Sequence, residues 1–382
     1  MKNKKIKVVV IIGTRPEAIK MIPVYLAFQK DKRVTPILVS TGQHQQMLEQ
    51  VFSIFNVKPD IELNIMKPNQ TLHDISVLVM TGVKKAILKT KPDAILVHGD
   101  TTSCLSSALA AFYEKVPIGH VEAGLRTYNL QSPWPEEMNR RLVDPISKWC
   151  FAPTRLAADN LAKERIDEKH IFITGNTVID ALLIAKNIIK KNKPVISEIP
   201  SNVINKKKLI LVTGHRRETF GKPFKEFCFA LKDIAQNQKD IAIVYPLHLN
   251  PRVQKPAVEI LGNVSGIYLI KPMDYLSFVY LMYKSYLIIT DSGGIQEEAP
   301  TFGKPVIVTR DITERQEAVT AGLAKLVGPN RKAIVNEVIL LLTNKIEYNK
   351  MSFSINPFGD GQASSKIVDI ICKSFNDNTL GS

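Results

Sequence analysis

Short apolar, β-branched runs alternate with helical stretches along this chain, and each run stops at a residue that can turn the backbone or carry charge. Residues 6–12 end at Gly13, 94–97 at His98-Gly99-Asp100, and 118–121 at Glu122. Predominantly apolar runs of this length suit strands buried on both faces, and the alternation predicts an α/β fold built on a parallel, doubly wound sheet. Pro16 stands where the first turn of a helix accepts it, ahead of a helical pattern over 18–28. Residues 35–40 read as the next strand, 43–55 as an amphipathic helix and 101–113 as a helix of small side chains. Ligands of such sheets bind beyond the carboxyl ends of the strands, so the loops at Gly13, Asp100 and Glu122 are expected to converge on one crevice.

The alternation restarts at Leu209. Strand 209–213 runs into Gly214-His215-Arg216-Arg217, and helix 224–237, strands 241–246 and 267–270, helix 275–284 and strand 286–290 follow. Strand 305–308 and helix 331–342 complete the second series. A length of 382 residues exceeds one ordinary core and suits two. The expected division is a first domain over 1–185, completed by a helix within 362–376, and a second over 209–361. Between them, 186–208 is rich in Lys, Asn, Pro and Ser and reads as an exposed connector. Two similar halves facing each other would leave a cleft at their junction, suited to a substrate with two dissimilar parts.

Composition narrows the partners. The net charge is +15, from 51 basic and 36 acidic side chains, which permits an anionic ligand. Much of the excess sits in lysine clusters near the N-terminus and over 190–208 without interleaved aromatics, so nucleic acid is not the expected partner. No segment approaches the roughly 20 apolar residues that span a bilayer, and the run at 8–12 is too short for a signal sequence. A cytoplasmic location without membrane attachment is expected. Cys104, Cys150, Cys228 and Cys372 are scattered and lack the paired spacing of a zinc site or disulfide framework.

Residues 288–299, Ile-Ile-Thr-Asp-Ser-Gly-Gly-Ile-Gln-Glu-Glu-Ala, combine a strand, a glycine turn and a helix start. Backbone N–H groups at a helix start lack intrahelical partners and favour an anion, which makes Ser292, Gly293 and Gly294 a candidate phosphate cradle; the same residues also suit a plain tight turn. Glu298, one turn on, could accept two ribose hydroxyls or merely complement the helix dipole. Arg15, Lys20 and Arg315 could supply charge to a diphosphate or lie solvated. His215, at a strand end, could donate to a phosphate or start a helix. Asp100, Glu122 and Glu136 form an acidic set. Several carboxyls in one site push their proton affinities apart, so that one can be a base while another stays protonated. Asp100 read alone also suits a magnesium ligand or a helix cap.

The ordered motifs resemble the non-hydrolysing UDP-N-acetylglucosamine 2-epimerases over almost the whole chain. In the first half these are Gly13-Thr14-Arg15-Pro16-Glu17-Ala18-Ile19-Lys20, His98-Gly99-Asp100-Thr101-Thr102, the stretch 119–127 and the stretch 132–137. In the second they are Gly175-Asn176-Thr177, Gly214-His215-Arg216-Arg217-Glu218, His248-Leu249-Asn250-Pro251, 291–299 and Thr313-Glu314-Arg315. The resemblance implies two Rossmann-like domains facing across a cleft in a GT-B-like fold, a homodimer, and no metal or nicotinamide cofactor. It implies conversion of UDP-GlcNAc to UDP-ManNAc by anti elimination of UDP to a 2-acetamidoglucal and re-addition, supplying a cell-surface polysaccharide precursor. Arg15, Lys20, His215, Ser292, Gly293, Gly294 and Arg315 would then hold the diphosphate, Glu298 the ribose, and Asp100, Glu122 and Glu136 the proton transfers. Gln43 and Gln46 match a neighbouring regulatory UDP-GlcNAc site, but Asn69 stands where a number of bacterial members have Arg. Gln316 replaces a proline common after Thr-Glu-Arg, which is expected to loosen the loop carrying Arg315. A hydrolysing 2-epimerase, a glycosyltransferase on the same scaffold and a non-catalytic UDP-sugar sensor are the competing readings.

Overall fold

A computed structural model describes residues 5–376 apart from His44, Pro68, His215, Arg217, Glu218, Thr219 and Ser354, with the side chains of Gln45 and Gln46 also left aside. The chain divides into two compact units, Met1–Ala181 with Phe358–Ser382, and Leu182–Pro357.

The first unit runs β1 (Ile6–Ile12), α1 (Arg15–Lys30), β2 (Val34–Ser40), α2 (Gln45–Phe55), β3 (Ile61–Glu62), α3 (Leu72–Thr90), β4 (Ala94–His98), α4 (Thr102–Tyr113), β5 (Ile118–Val121), α5 (Glu136–Val143), β6 (Trp149–Ala152), α6 (Arg155–Lys163), β7 (Ile171–Ile173) and the start of α7 (Thr177–Lys191). Its seven strands are all parallel, in the order β3-β2-β1-β4-β5-β6-β7. Crossovers from β1 run outward through β2 to one edge and from β4 outward to the other, so the strand order reverses between β1 and β4. In sheets of this kind ligands bind above the carboxyl ends of the strands at such a switch point. Val9, Ile11, Ile95 and Val97 seal one face of the sheet against Val79, Val83 and Ala108. These strand residues are within a few per cent of complete burial, as a sheet covered on both faces requires.

In the second unit α8 (Ser201–Lys206) precedes β8 (Lys208–Thr213), α9 (Lys222–Asn237), β9 (Ile241–Pro246), α10 (Pro251–Leu261), β10 (Ile267–Ile270), α11 (Tyr275–Lys284), β11 (Leu287–Thr290), α12 (Gly293–Glu298), β12 (Val306–Val308), α13 (Gln316–Thr320), β13 (Ala324–Leu326), α14 (Arg331–Thr343) and α15 (Lys345–Ser352). The sheet order is β10-β9-β8-β11-β12-β13, again parallel, with its switch point between β8 and β11. Phe224, Phe227 and Tyr245 anchor its core, the last two rings meeting edge to face at 6.1 Å.

The final helix, α16 (Ala363–Asn376), belongs to the first unit and packs on α1. Asp180 caps it, accepting hydrogen bonds from the Ala363 and Ser364 amides at 3.3 and 2.9 Å. The expected connector over 186–208 is exposed over most of its length, but it is not without structure. α7 continues to Lys191, α8 occupies Ser201–Lys206, and Ile196, Ile199, Val203 and Ile204 are buried. Their spacing is itself amphipathic, masked in the sequence by the surrounding lysines.

Candidate active site

In the first unit, the loops after β1, β4 and β5 bring the expected acidic residues together with several that were not expected. Glu122 follows β5 with φ 67°, a left-handed conformation uncommon for a residue with a side chain. Its own amide and that of Ala123 both donate to the Phe151 carbonyl at 3.1 Å, which holds this backbone against its strain. The result aims the Glu122 carboxylate into a pocket of donors. The Lys20 ammonium forms an ion pair with it, the Asn176 amide donates to it at 3.2 Å, and His98 Nε2 lies 3.5 Å away. Burial alone would raise the proton affinity of this carboxyl; the Lys20 and His98 charges override that and hold it well below the ordinary carboxylate range.

Asp100 behaves oppositely. Burial pushes its carboxyl up, the nearby Glu122 and Glu136 charges add to that, and Arg140 and His98 only partly offset them. Arg140 Nη2 lies 3.2 Å from Asp100 Oδ2, and the Asn139 side chain donates to the Asp100 carbonyl at 2.7 Å. Arg140, Asn139 and Glu136 share α5, which places them over the β4 loop. The adjacent Glu137 is fully buried and turns back to accept from the Thr127 and Tyr128 amides at 3.0 and 2.9 Å, fixing the approach to α5. Glu136 Oε2 is shielded from solvent and has no hydrogen-bond partner among the described residues. An oxygen left so is a place for a ligand hydroxyl or proton to bind.

Glu17 and His98 escaped the sequence reading. Glu17 is buried, with its carboxyl pushed up by that burial, and it accepts from the Gly13 amide, from the Thr14 amide at 2.9 Å and from the Thr101 hydroxyl at 2.5 Å. It thereby ties the β1 loop to the β4 loop. The signal was available: Thr14-x-x-Glu17 is a capping-box pattern at a helix start. His98 is 5% exposed at the end of β4, and neither ring nitrogen has a hydrogen-bond partner among the described residues. Arg15, at the start of α1, has no ion-pair partner among them either. Gln43 accepts from the Ser103 hydroxyl at 2.8 Å, beside this cluster. Gln46 lies on α2 with its side chain outside the described residues, and Asn69 is exposed with φ 58°.

In the second unit, the loop after β11 presents Ser292, Gly293 and Gly294 at the switch point. Ser292 donates its amide to the Thr290 hydroxyl at 2.9 Å, and α12 begins at Gly293. Space at Gly293 is tight: a Cβ there would stand 3.2 Å from Glu314 Oε1 and 3.5 Å from the Arg315 guanidinium carbon. Arg315 is thus drawn up to the glycine turn. Its Nε donates to Glu297 Oε1 at 2.7 Å, and Nη1 lies 3.6 Å from Glu314. Arg315 and Arg310 hold the Glu314 carboxyl down to about 2 against its burial. The carboxylate of Glu298 folds back over the turn, 3.5 Å from where a Gly294 Cβ would lie. The expected loosening by Gln316 is not found. Gln316 Nε2 donates to the Thr313 carbonyl at 2.7 Å, while the Thr313 hydroxyl accepts from the Arg315 amide and donates to Gln296 Oε1 at 2.8 Å. His215, expected at the end of β8, lies outside the described residues.

No cluster of His, Cys, Asp or Glu that could hold a metal ion occurs among the described residues, and no helix among them is long and apolar enough to cross a membrane. The family model for UDP-N-acetylglucosamine 2-epimerase matches residues 26–372. The UDP-N-acetylglucosamine 2-epimerase of Campylobacter jejuni is 51% identical over 380 residues, spanning 98% of this chain and 99% of the relative. That of Escherichia coli (strain K12) is 52% identical over 368 residues, spanning 96% and 98%. The solved UDP-GlcNAc 2-epimerase from Neisseria meningitidis, bound to UDP-GlcNAc, matches with a TM-score of 0.86 at 47% identity, covering 96% of this chain and all of that one. Two Rossmann-like parallel sheets, GT-B-like in kind, and this near-complete likeness place the chain in the UDP-N-acetylglucosamine 2-epimerase family.

Proposed function

We propose that the chain interconverts UDP-GlcNAc and UDP-ManNAc by eliminating UDP across C1 and C2 and adding it back. In the forward direction the C1–O bond breaks toward the diphosphate, the C2 proton leaves to a protein base, and a 2-acetamidoglucal remains. A proton then returns to the opposite face of C2 as UDP re-adds at C1. The C2 proton is weakly acidic, so stabilising the departing diphosphate must lead. Arg15 and Arg315, with the amides of Ser292, Gly293 and Gly294, are the groups assigned to that charge, and Glu298 is assigned to the ribose. His215 is retained as a diphosphate donor on the strength of the motif alone.

The observation carrying the reading is the divergence of the neighbouring carboxyls. Asp100 is pushed up and Glu122 is held well down. A carboxyl whose proton affinity is raised toward the working pH transfers protons more effectively than one pinned ionised. Asp100 is therefore assigned to proton transfer at C2, and Glu136, with its unpartnered oxygen, to the transfer on the second face. Burial does most to raise the Asp100 affinity, and Glu122 is a fixed negative charge that adds to it. Lys20, assigned to the diphosphate by resemblance, is instead engaged with Glu122 and keeps that charge in place.

An NMR time course of UDP-GlcNAc with the protein alone tests this. UDP-ManNAc forming without free UDP supports the proposal; free ManNAc with stoichiometric UDP would make the chain a hydrolysing epimerase, and no conversion would leave a sugar-nucleotide binder.

A further inference from the structure

A chain of buried charges beneath the β4 loop has no part in the mechanism above. His120 lies in the middle of β5, completely buried. Its Nδ1 is 2.6 Å from Asp144 Oδ1, and its Nε2 is 2.7 Å from the Gly99 carbonyl oxygen. A carbonyl oxygen can only accept, so Nε2 carries a hydrogen and donates to Gly99 while Nδ1 pairs with the Asp144 carboxyl. Asp144 also accepts from Arg126 Nη2 at 2.6 Å, and Arg126 grips Glu164 at 2.9 and 2.8 Å. Burial would raise the Asp144 carboxyl, yet His120 and Arg126 hold it below its ordinary range.

A network that served only to fill the core could end on any acceptor. This one ends on the residue before Asp100. Gly99 has φ 68°, and a Cβ added there would meet nothing within 4 Å, so the glycine is required by conformation rather than by crowding. The Gly99 carbonyl takes a second donor, the Cys104 thiol at 3.3 Å, and the Gly99 amide donates to the Val121 carbonyl at 3.0 Å. Beyond Asp100, its own carbonyl is held by Asn139. The two peptide groups that set the direction of the Asp100 side chain are thus fastened from opposite sides.

We propose that His120 is a positioning residue: its Nε2–H, with the Cys104 thiol, fixes the Gly99 carbonyl and so aims the Asp100 carboxyl. The inference rests on the assignment of Asp100 to proton transfer. Displacing a transferring group by even about 1 Å can cost on the order of 100-fold in rate while leaving substrate binding intact.

Two substitutions separate the ends of the ring. The amide nitrogen of Asn falls near the Nδ1 position, so His120→Asn keeps a donor toward Asp144 and loses the one toward Gly99. Gln reaches the Nε2 position, so His120→Gln keeps the Gly99 donor and loses the Asp144 one. The expected result is a kcat for His120→Asn lowered about 10- to 100-fold, with KM for UDP-GlcNAc and affinity for UDP within about twofold of wild type. His120→Gln should recover most of that loss. Equal losses in the two variants, a greater loss in His120→Gln, or a changed KM with unchanged kcat would overturn the role. If thermal melting shows His120→Asn unfolded, Cys104→Ala removes the other donor to Gly99, and an unchanged kcat there would overturn the role as well. Wild-type turnover run alongside distinguishes the failures: no UDP-ManNAc from the wild type overturns the functional reading and this role with it, whereas a competent wild type with an indifferent His120→Asn overturns the positioning role alone.

Discussion

Replacing Lys20 with Met keeps the aliphatic stem and removes the ammonium that pairs with Glu122. The two side chains are 14% and 11% exposed, so the carboxylate left behind is desolvated and poorly screened. Breaking a fully buried ion pair costs about 3 to 5 kcal/mol. Here Asn176 still donates to Glu122 at 3.2 Å and His98 remains beside it, so about 2 to 3 kcal/mol is the reasonable share. In a unit of this size that is roughly 4 to 12 °C in melting temperature. The sign of its pH dependence is the sharper test. In the wild type the folded-state affinity of Glu122 for a proton is depressed, so its contribution is present above the unfolded value, about 4.3, and fades as pH falls through the lower folded one. Without Lys20, burial becomes the dominant influence and the folded value moves above the unfolded one, so the ionised carboxylate destabilises the fold at high pH. The penalty of Lys20→Met should therefore be largest near pH 8 and shrink toward pH 5, where protonation neutralises Glu122. Differential scanning calorimetry of both proteins at the two pH values reads this directly. A penalty that is constant with pH, or larger at pH 5, would refute the claim that Lys20 holds a buried carboxylate ionised.

Asp100→Asn should lower kcat by about 100- to 10,000-fold, with UDP affinity by calorimetry within about threefold of wild type; full turnover would remove Asp100 from proton transfer. Arg315→Met should weaken UDP binding by about 10- to 100-fold, the usual loss for a charge-assisted contact, and Arg315→Lys should recover little because a lysine cannot reproduce the planar fork; an unchanged dissociation constant would detach Arg315 from the diphosphate.

Much of the fold was legible because strand ends and sheet faces are written in apolar runs. The apolar run 267–270 has the bounds of β10 itself. Pro251 and Pro256 interrupt the helical pattern of α10, although the first sits in the opening turn, where its missing donor costs nothing. Within 186–208, exposed lysines outnumber Ile196, Ile199, Val203 and Ile204, buried side chains that anchor it. At the site, Asp100 and Glu122 could be placed at strand ends, but their opposed titration could not. It depends on the left-handed backbone of Glu122 and on which cation reaches which carboxylate, neither of which leaves a mark in sequence spacing. His120 shows the same limit, since a histidine inside an apolar run reads as strand filler until its two partners are seen.

The central claim is that the C2 proton leaves and is replaced during turnover. Incubating UDP-GlcNAc with the protein in deuterium oxide and following the sugar by proton NMR tests it most directly. Elimination and re-addition yield UDP-ManNAc carrying deuterium at C2, with no matching build-up of free UDP and sugar. UDP-ManNAc that keeps its original C2 proton throughout would contradict it.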